Sequence, residues 1–412
     1  MNRLTDWDGD PDAMPLEQAR ARIRDFLIPV DGTETIPLEV AFQRTLAEDV
    51  IAPMNVPPHD YSAMDGYALR IADLENGISR FELAGTSYAG HPYPDSVQEG
   101  RCIRIMTGAL IPEGCDTVVM QEHVGVEGKS IIISGTLRSG QNIRRAGEDL
   151  QCGAVVLSKG CALRPAEMGL LASLGLSEVK VTRKLRVAIF STGDELQQPG
   201  QPLSPGQIYD SNRYTLIGML AGMGVEVLDR GHLPDDVTAM KSALLEAARD
   251  ADAMLSSGGV SVGEADHIRN LLAEIGEVAL WKIAMKPGKP LAFGRIGSCL
   301  FFGLPGNPVA VMVTFQQIVR DALRICMGQQ PAAGLMLRAI CASPIKKLPG
   351  RIEFQRGILA RDPQGRLTVS PTGAQGSGIL SSMSQANCLI VLPESQGNIE
   401  VGVEVEVQPT LN

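Results

Sequence analysis

Between residues 182 and 330, short apolar runs alternate with stretches of helical apolar spacing, and this alternation constrains the fold more than any other feature. KLRVAIFST (184–192) reads as a buried strand and SNRYTLIGMLAGMG (211–224) as a helix closed by glycine. VEVLDRG (225–231) reads as a strand, DDVTAMKSALLEAARD (235–250) as a helix opened by acids, and ADAMLSS (251–257) as another strand, with a helix near 265–275. Strands buried on both faces and separated by single helices pair in parallel, with the crossovers covering the two faces. The expectation is a doubly wound, mostly parallel α/β domain. Ligands of such sheets sit beyond the C-terminal ends of the strands, so the loops there are the first place to look for chemistry.

The whole chain has 412 residues, which at about 150 residues per domain implies two to four domains. Leu16, Ala19, Ile23, Phe26 and Leu27 recur at helical spacing over 14–28, and Pro29 ends that run. Residues 57–145 alternate turns with β-type runs such as RCIRIM (101–106) and SIII (130–133), and AEMGLLASLG (166–175) returns to helical spacing. From about 331 the pattern is β again: GILARDPQGRLTVSP (357–371) suggests a hairpin around Asp362 to Gly365, and the alternation of Val401, Val403, Val405 and Val407 suggests a half-buried strand.

Composition excludes several classes. The net charge of −10 disfavours general nucleic-acid binding, where phosphate contacts dominate affinity. Met1 to Pro15 carries Asp6, Asp8, Asp10 and Asp12 and has neither signal-peptide nor transit-peptide character. No stretch approaches the roughly 18 apolar residues of a membrane helix. The eight cysteines form no CxxC pair and the five histidines are scattered, so neither a disulfide framework nor a zinc site is expected. These features suggest a reduced, soluble, cytoplasmic protein.

Four loops in the α/β region carry candidate chemistry. SSGGVSVGEADH (256–267) follows an apolar strand, and Gly258, Gly259 and Gly263 let backbone N–H groups converge on an anion, with Ser257 and Ser261 as hydroxyl donors. Glu264 and Asp266 would repel a bare phosphate, which points to a bridging divalent cation such as Mg²⁺; a glycine-rich turn with Asp266 as a helix cap is the plainer alternative. In FFGLPGNPVAVMVTFQQIV (301–319) a strand runs through Pro305 and Gly306 to Asn307, which suits an N-cap, and Pro308, which suits a first helical turn. WKIAMKPGKPLAFG (281–294) holds Lys282, Lys286 and Lys289 on a proline-stiffened segment that fits an oxyanion, or is a solvated basic turn. In STGDEL (191–196) Thr192 and Gly193 can donate while Asp194 and Glu195 can hold a metal; Asp235 and Asp236 open the next helix, where acids are also favoured by its dipole.

The β-rich region adds DYSAMDGYA (60–68) with Ser62, Asp65 and Gly66, RIMTGALIPEGCDTVVMQE (104–122) with Thr107 and Gly108, and GQNIRRAGEDL (140–150) with Arg144, Arg145, Glu148 and Asp149. Singly, each reads as a surface turn. They can join the α/β loops only by folding back or across a dimer interface.

In this order, SAMDGYA, RIMTGA, GQNIRRAGEDL, FSTGDEL, SSGGVSVGEADH, KPGKPLAFG and LPGNPVA resemble the molybdopterin molybdenumtransferases of the MoeA type over roughly residues 14–410. Tyr61 departs from the Asn common in relatives. The resemblance implies an elongated domain split over 14–56 and 146–181, an inserted β-rich domain at 57–145, the α/β molybdopterin-binding-like domain at 182–330 and a β-barrel-like domain at 331–412. It also implies a single-function bacterial form and a homodimer whose active site lies between the α/β domain of one subunit and the β domain of the other. The implied reaction inserts molybdenum from molybdate into adenylylated molybdopterin, releasing AMP in a Mg²⁺-dependent step, with possible transient contact with the molybdopterin adenylyltransferase. Asp65, Thr107, Arg144, Asp149, Glu195, Asp235, Asp266, Lys282, Lys286, Pro305 and Pro308 match the family's site positions, with Glu195, Asp235 and Asp266 as the metal candidates. The alternatives are an ATP-dependent molybdopterin adenylyltransferase, which shares the α/β fold, and a non-catalytic gephyrin-like scaffold.

Overall fold

The computed structural model describes residues 13–233, 236–258, 271–272, 274–330 and 334–410, with side chains left out at 278–280. Its centre is a six-stranded sheet in the order Glu226–Leu233, Arg186–Thr192, Ala253–Ser257, Cys299–Leu304, Pro290–Ile296, Glu277–Lys282. The first four strands are parallel and the last two antiparallel. Alternation along Arg186–Thr192 shows why both faces are covered. Val187 and Ile189 join one apolar cluster with Leu216, Leu220 and Val309, whereas Ala188 and Phe190 join another with Met240, Leu244 and Ala247.

The helices start where the sequence placed acids. Asp210 caps Ser211–Ala221 by accepting the Arg213 N–H at 3.1 Å, and Asp236 caps Val237–Asp250 by accepting the Ala239 N–H at 2.7 Å. Pro308 does open the long helix, but Asn307 in the N-cap position makes no side-chain capping bond. That helix is interrupted: Pro308–Thr314 is followed by a π turn at Phe315–Val319 and then by Arg320–Cys326. Apolar periodicity signals the helix but not the local widening.

Outside the sheet, Thr33–Pro37 pairs with Glu178–Thr182 and Val50–Ile51 with Val155–Leu157, so segments on either side of 57–145 are joined. Leu46, Leu163, Leu171 and Val181 form the core of this part. The helix Leu16–Arg24 lies elsewhere, burying Leu16, Ala19 and Ile23 in the α/β core. Residues 57–145 build their own six-stranded sheet, and the hydrogen bonds at its base run to Val56 and to Gly147–Leu150.

At the C-terminal end, Ile352–Arg361, Leu367–Pro371, Leu337–Cys341, Glu404–Pro409 and Cys388–Leu392 pair in turn, and the last pairs back to the first, closing a five-stranded barrel. The hairpin at Asp362 to Gly365 forms as the sequence suggests, with Asp362 Oδ1 accepting the N–H groups of Gln364 and Arg366. The final strand is shorter than its valine alternation suggests. Val405 and Val407 are buried, but Val401 and Val403 are exposed, because Gly402 turns with φ +88° and donates to the Cys341 carbonyl.

Candidate functional site

Strand register brings the predicted loops to one level. Ser191 pairs with Ser257, Ser257 with Leu304, and Thr192 with Leu233, so all four parallel strands end together. Gly258 turns with φ +91°, and a Cβ there would lie 2.4 Å from the Thr192 carbonyl oxygen; only glycine lets the two backbones approach so closely. Gly306 lies against Gly258, and its carbonyl accepts the Asn212 side-chain amide at 2.7 Å. Gly193 turns with φ +130°, its carbonyl 2.9 Å from His232 Nε2, and the exposed Glu195 carboxylate folds over it.

Among the described residues, several buried polar atoms around this edge have no hydrogen-bond partner: Ser191 Oγ, Ser257 Oγ, Asp210 Oδ2 and Asn212 Oδ1. Orphaned buried groups are costly, so a cluster of them at a strand edge marks a candidate ligand site. Asp210 and Asn212 escaped the sequence reading, which saw only the helix they open. Gly259, Ser261, Gly263, Asp266 and Asp235 lie outside the described residues.

The lysine loop borders two neighbouring cavities. One, of about 380 Å³, is lined by Lys286, Lys289, Pro305, Gly306 and Asn307, joined by Arg351, Gln375 and Ser377 of the barrel. The other, of about 440 Å³, has Lys286 and Gln375 in common with it and adds Lys346, Glu353 and Arg356. Gly288 holds φ +110° where a Cβ would lie 2.5 Å from Thr314 Oγ1, so the turn is pressed onto the long helix. Met285–Lys286 also adds to the barrel as a short parallel strand beside Ile352 and Glu353. Lys286 Nζ then donates to Glu353 Oε1 at 3.2 Å, while Gln355 Nε2 donates to Glu353 Oε2 at 3.0 Å. Glu353 is buried, and these donors occupy both of its carboxylate oxygens. Lys282 and Pro308 line neither cavity; Lys282 is exposed, and its carbonyl accepts the Met14 N–H.

The barrel residues were not anticipated from sequence. The run PTGAQGSG (371–378) was the available signal, since it is as rich in turn residues as the loops that were noticed.

The β-rich sheet carries a separate group. Asp65 accepts both the N–H and the hydroxyl of Thr107, each at 2.8 Å, and these bonds hold its pKa below the ordinary carboxylate value. Its carboxylate therefore stays ionised at neutral pH, and the bonds weaken only as pH falls through that lowered value. Arg144 lies on Ile143–Arg144, paired with Tyr61–Ser62, exposed and without a hydrogen-bond or ion-pair partner among the described residues. Its neighbour Arg145 is committed to Asp60 at 2.6 Å. Asp149 is exposed at the base of the sheet, its N–H donating to Val56. None of these four side chains lines either lysine cavity. The structure thus unites the α/β loops with the lysine loop, and leaves Asp65, Thr107, Arg144 and Asp149 on a second surface.

The sequence matches three family descriptions: MoeA N-terminal region (domain I and II) over 14–175, probable molybdopterin binding domain over 188–325, and MoeA C-terminal region (domain IV) over 338–410. It is similar to the molybdopterin molybdenumtransferase of Haemophilus influenzae, 45% identical over 96% of this chain and 98% of that protein. Identity to the molybdopterin molybdenumtransferase of Bacillus subtilis is 33%, over 96% of this chain and 93% of that one. Gephyrin from Dictyostelium discoideum is 35% identical over 90% of this chain and 59% of its own length. The crystal structure of a molybdopterin biosynthesis moeA protein from Pyrococcus horikoshii superposes with a TM-score of 0.82 at 31% identity, covering 97% of this chain and all of that one.

The ion pair between Lys286 and Glu353 yields a test with two opposite signs. Glu353→Gln keeps an acceptor but removes a negative charge beside the cavity, so sulfate, used as a probe dianion, is expected to bind roughly 3- to 10-fold more tightly. Glu353→Ala removes the tether as well and is expected to weaken sulfate binding. Equal effects of both variants in a calorimetric titration would contradict a positioning role.

Proposed function

The chain belongs to the MoeA family, and we propose that it inserts molybdenum from molybdate into adenylylated molybdopterin, releasing AMP, in the cytoplasm. The observation that carries this reading is the cavity where Lys286, Lys289 and Arg351 meet the Pro305–Gly306–Asn307 loop. Molybdate is a tetrahedral dianion, and clustered cations with backbone and hydroxyl donors suit such an ion. Soft ligands from the protein are not required, because the pterin dithiolene supplies the sulfurs that finally hold the metal. Consistent with that, the described cysteines at the core positions 102, 299 and 326 have thiols pushed up to about 12 by burial, far from a metal-binding thiolate.

In this reading Lys286 and Lys289 hold the oxyanion, with Glu353 fixing the ammonium of Lys286. Thr192, Ser257 and the Gly258 turn receive the phosphate end of the adenylylated substrate beside them. A divalent cation fits the same edge: the exposed Glu195 carboxylate and Asp210 Oδ2, which has no hydrogen-bond partner among the described residues, are hard oxygen ligands of the kind Mg²⁺ takes. Asp235 and Asp266 are the further sequence candidates. When bound, the ion supplies charge neutralisation at the phosphates.

Asp65, Thr107, Arg144 and Asp149 complete the site from a second subunit of a homodimer. Their absence from the lining of the lysine cavities within one chain supports this, as does the anchoring of their sheet at its own base. A transient contact with the adenylyltransferase would hand over the reactive adenylylated substrate without loss to water.

The direct assay is an anaerobic incubation with adenylylated molybdopterin, molybdate and Mg²⁺, following AMP and active cofactor together. AMP release that requires molybdate and rises with cofactor is expected; ATP consumption with pyrophosphate release would instead indicate an adenylyltransferase, and tight partner binding without turnover a scaffold. Shared sites have their own signature. Asp65→Ala and Lys286→Met chains, each inactive alone, are expected to regain about a quarter of wild-type activity when co-refolded, since half the dimers then carry one intact site. No recovery despite mixed dimers would contradict the shared site.

A further inference from the structure

A third cavity lies away from the lysine loop, in the angle between the helix Leu16–Arg24, the long interrupted helix and the barrel. It measures about 510 Å³, within the range of small-molecule sites. It has Phe354 in common with the 440 Å³ cavity but none of the lysines of either lysine cavity. Leu16, Met336, Ile352, Phe354 and Val391 give it an apolar lining, while Arg20, Arg24 and Arg320 face the carboxylates of Glu17 and Asp321.

The three guanidiniums are not equivalent. Arg20 donates from Nε to the Gln317 carbonyl at 2.8 Å, from Nη2 to Gln317 Oε1 at 2.9 Å, and from Nη1 to Glu17 at 2.5 Å. It is fully engaged, bracing the π turn and occupying Glu17. Arg320 follows that turn directly and is poorly served. Among the described residues its buried Nε finds no hydrogen-bond partner, and its ion pair with Asp321 is loose: Asp321 Oδ1 stands 3.6 Å away and is shared with Arg324 at 3.7 Å. Burial holds the Arg320 pKa below its ordinary value, with Asp321 opposing the shift and Arg324 and Arg20 adding to it. Arg24 is exposed at the rim and has no hydrogen-bond or ion-pair partner among the described residues. A desolvated cation with unfilled donors is costly unless an anion completes it. π turns also recur at functional sites.

We propose that this cavity binds a small organic anion, a phosphate or carboxylate carried on an apolar body, anchored by Arg320 with Arg24 at the rim. The planar guanidinium fork matches two oxygens of such a group, and the apolar lining receives the body. The site is separate from the oxyanion seat of the lysine loop and does not depend on the reaction proposed there.

Phenyl phosphate and inorganic phosphate serve as probes, titrated calorimetrically into the full chain. Phenyl phosphate is expected to bind more tightly than inorganic phosphate. Arg320→Met should weaken its binding by ~10-fold or more, whereas Lys286→Met should leave it within about two-fold. Without ligand, Arg320→Met is also expected to melt higher than wild type, because it replaces a desolvated, loosely paired charge by an apolar chain of similar length. No binding by the wild type, unchanged binding in Arg320→Met, binding lost in Lys286→Met instead, or a lower melting temperature for Arg320→Met would each overturn the proposal.

Discussion

The shared register of four parallel strands is the constraint on which the rest of the site depends. Because Ser191, Ser257 and Leu304 stand side by side, Thr192, Gly258 and Pro305 all leave the sheet at the same height. A shift of one residue would move each of these loops and reverse the faces that Val187 and Ala188 bury. Glycine at 258 is then dictated by the adjoining Thr192 carbonyl, and the same register brings Ser191 Oγ, Ser257 Oγ and Asp210 Oδ2 to this edge without a hydrogen-bond partner among the described residues.

The barrel supplies what the sheet cannot. A lysine on a loop has a long flexible stem, and its ammonium is useful only if something holds it. Here the backbone of Met285–Lys286 becomes an additional strand on the barrel, and a buried glutamate on the adjacent strand receives the ammonium. The barrel also brings Arg351, Gln375 and Ser377 to the cavity. The lysine loop is therefore shaped from two sides: Thr314 of the long helix crowds Gly288, and Glu353 tethers Lys286.

Much of this was legible in the chain itself. Buried strands, the helix opened by Asp236, the hairpin at Asp362 and the glycine-bearing loops are all local features, written in periodicity and turn chemistry. What was not legible is long-range. Nothing around Glu353 marks it as the partner of Lys286, 67 positions away. Equally, Leu16, Ala19 and Ile23 announce an apolar helical face but not that the α/β core covers it. The π turn is met by Arg20, which donates to the Gln317 carbonyl across 297 positions. The strand over Val401 to Val407 was misjudged in length because valine alternation continued past a glycine that turns the chain.

The central claim is that the Lys286–Lys289–Arg351 cavity is the oxyanion seat. Equilibrium titration of molybdate into the full chain and into Lys286→Met tests it most directly. Loss of one charge-assisted contact is expected to weaken molybdate binding by ~10-fold or more. Equal affinity in the two proteins would place the oxyanion elsewhere and contradict the account.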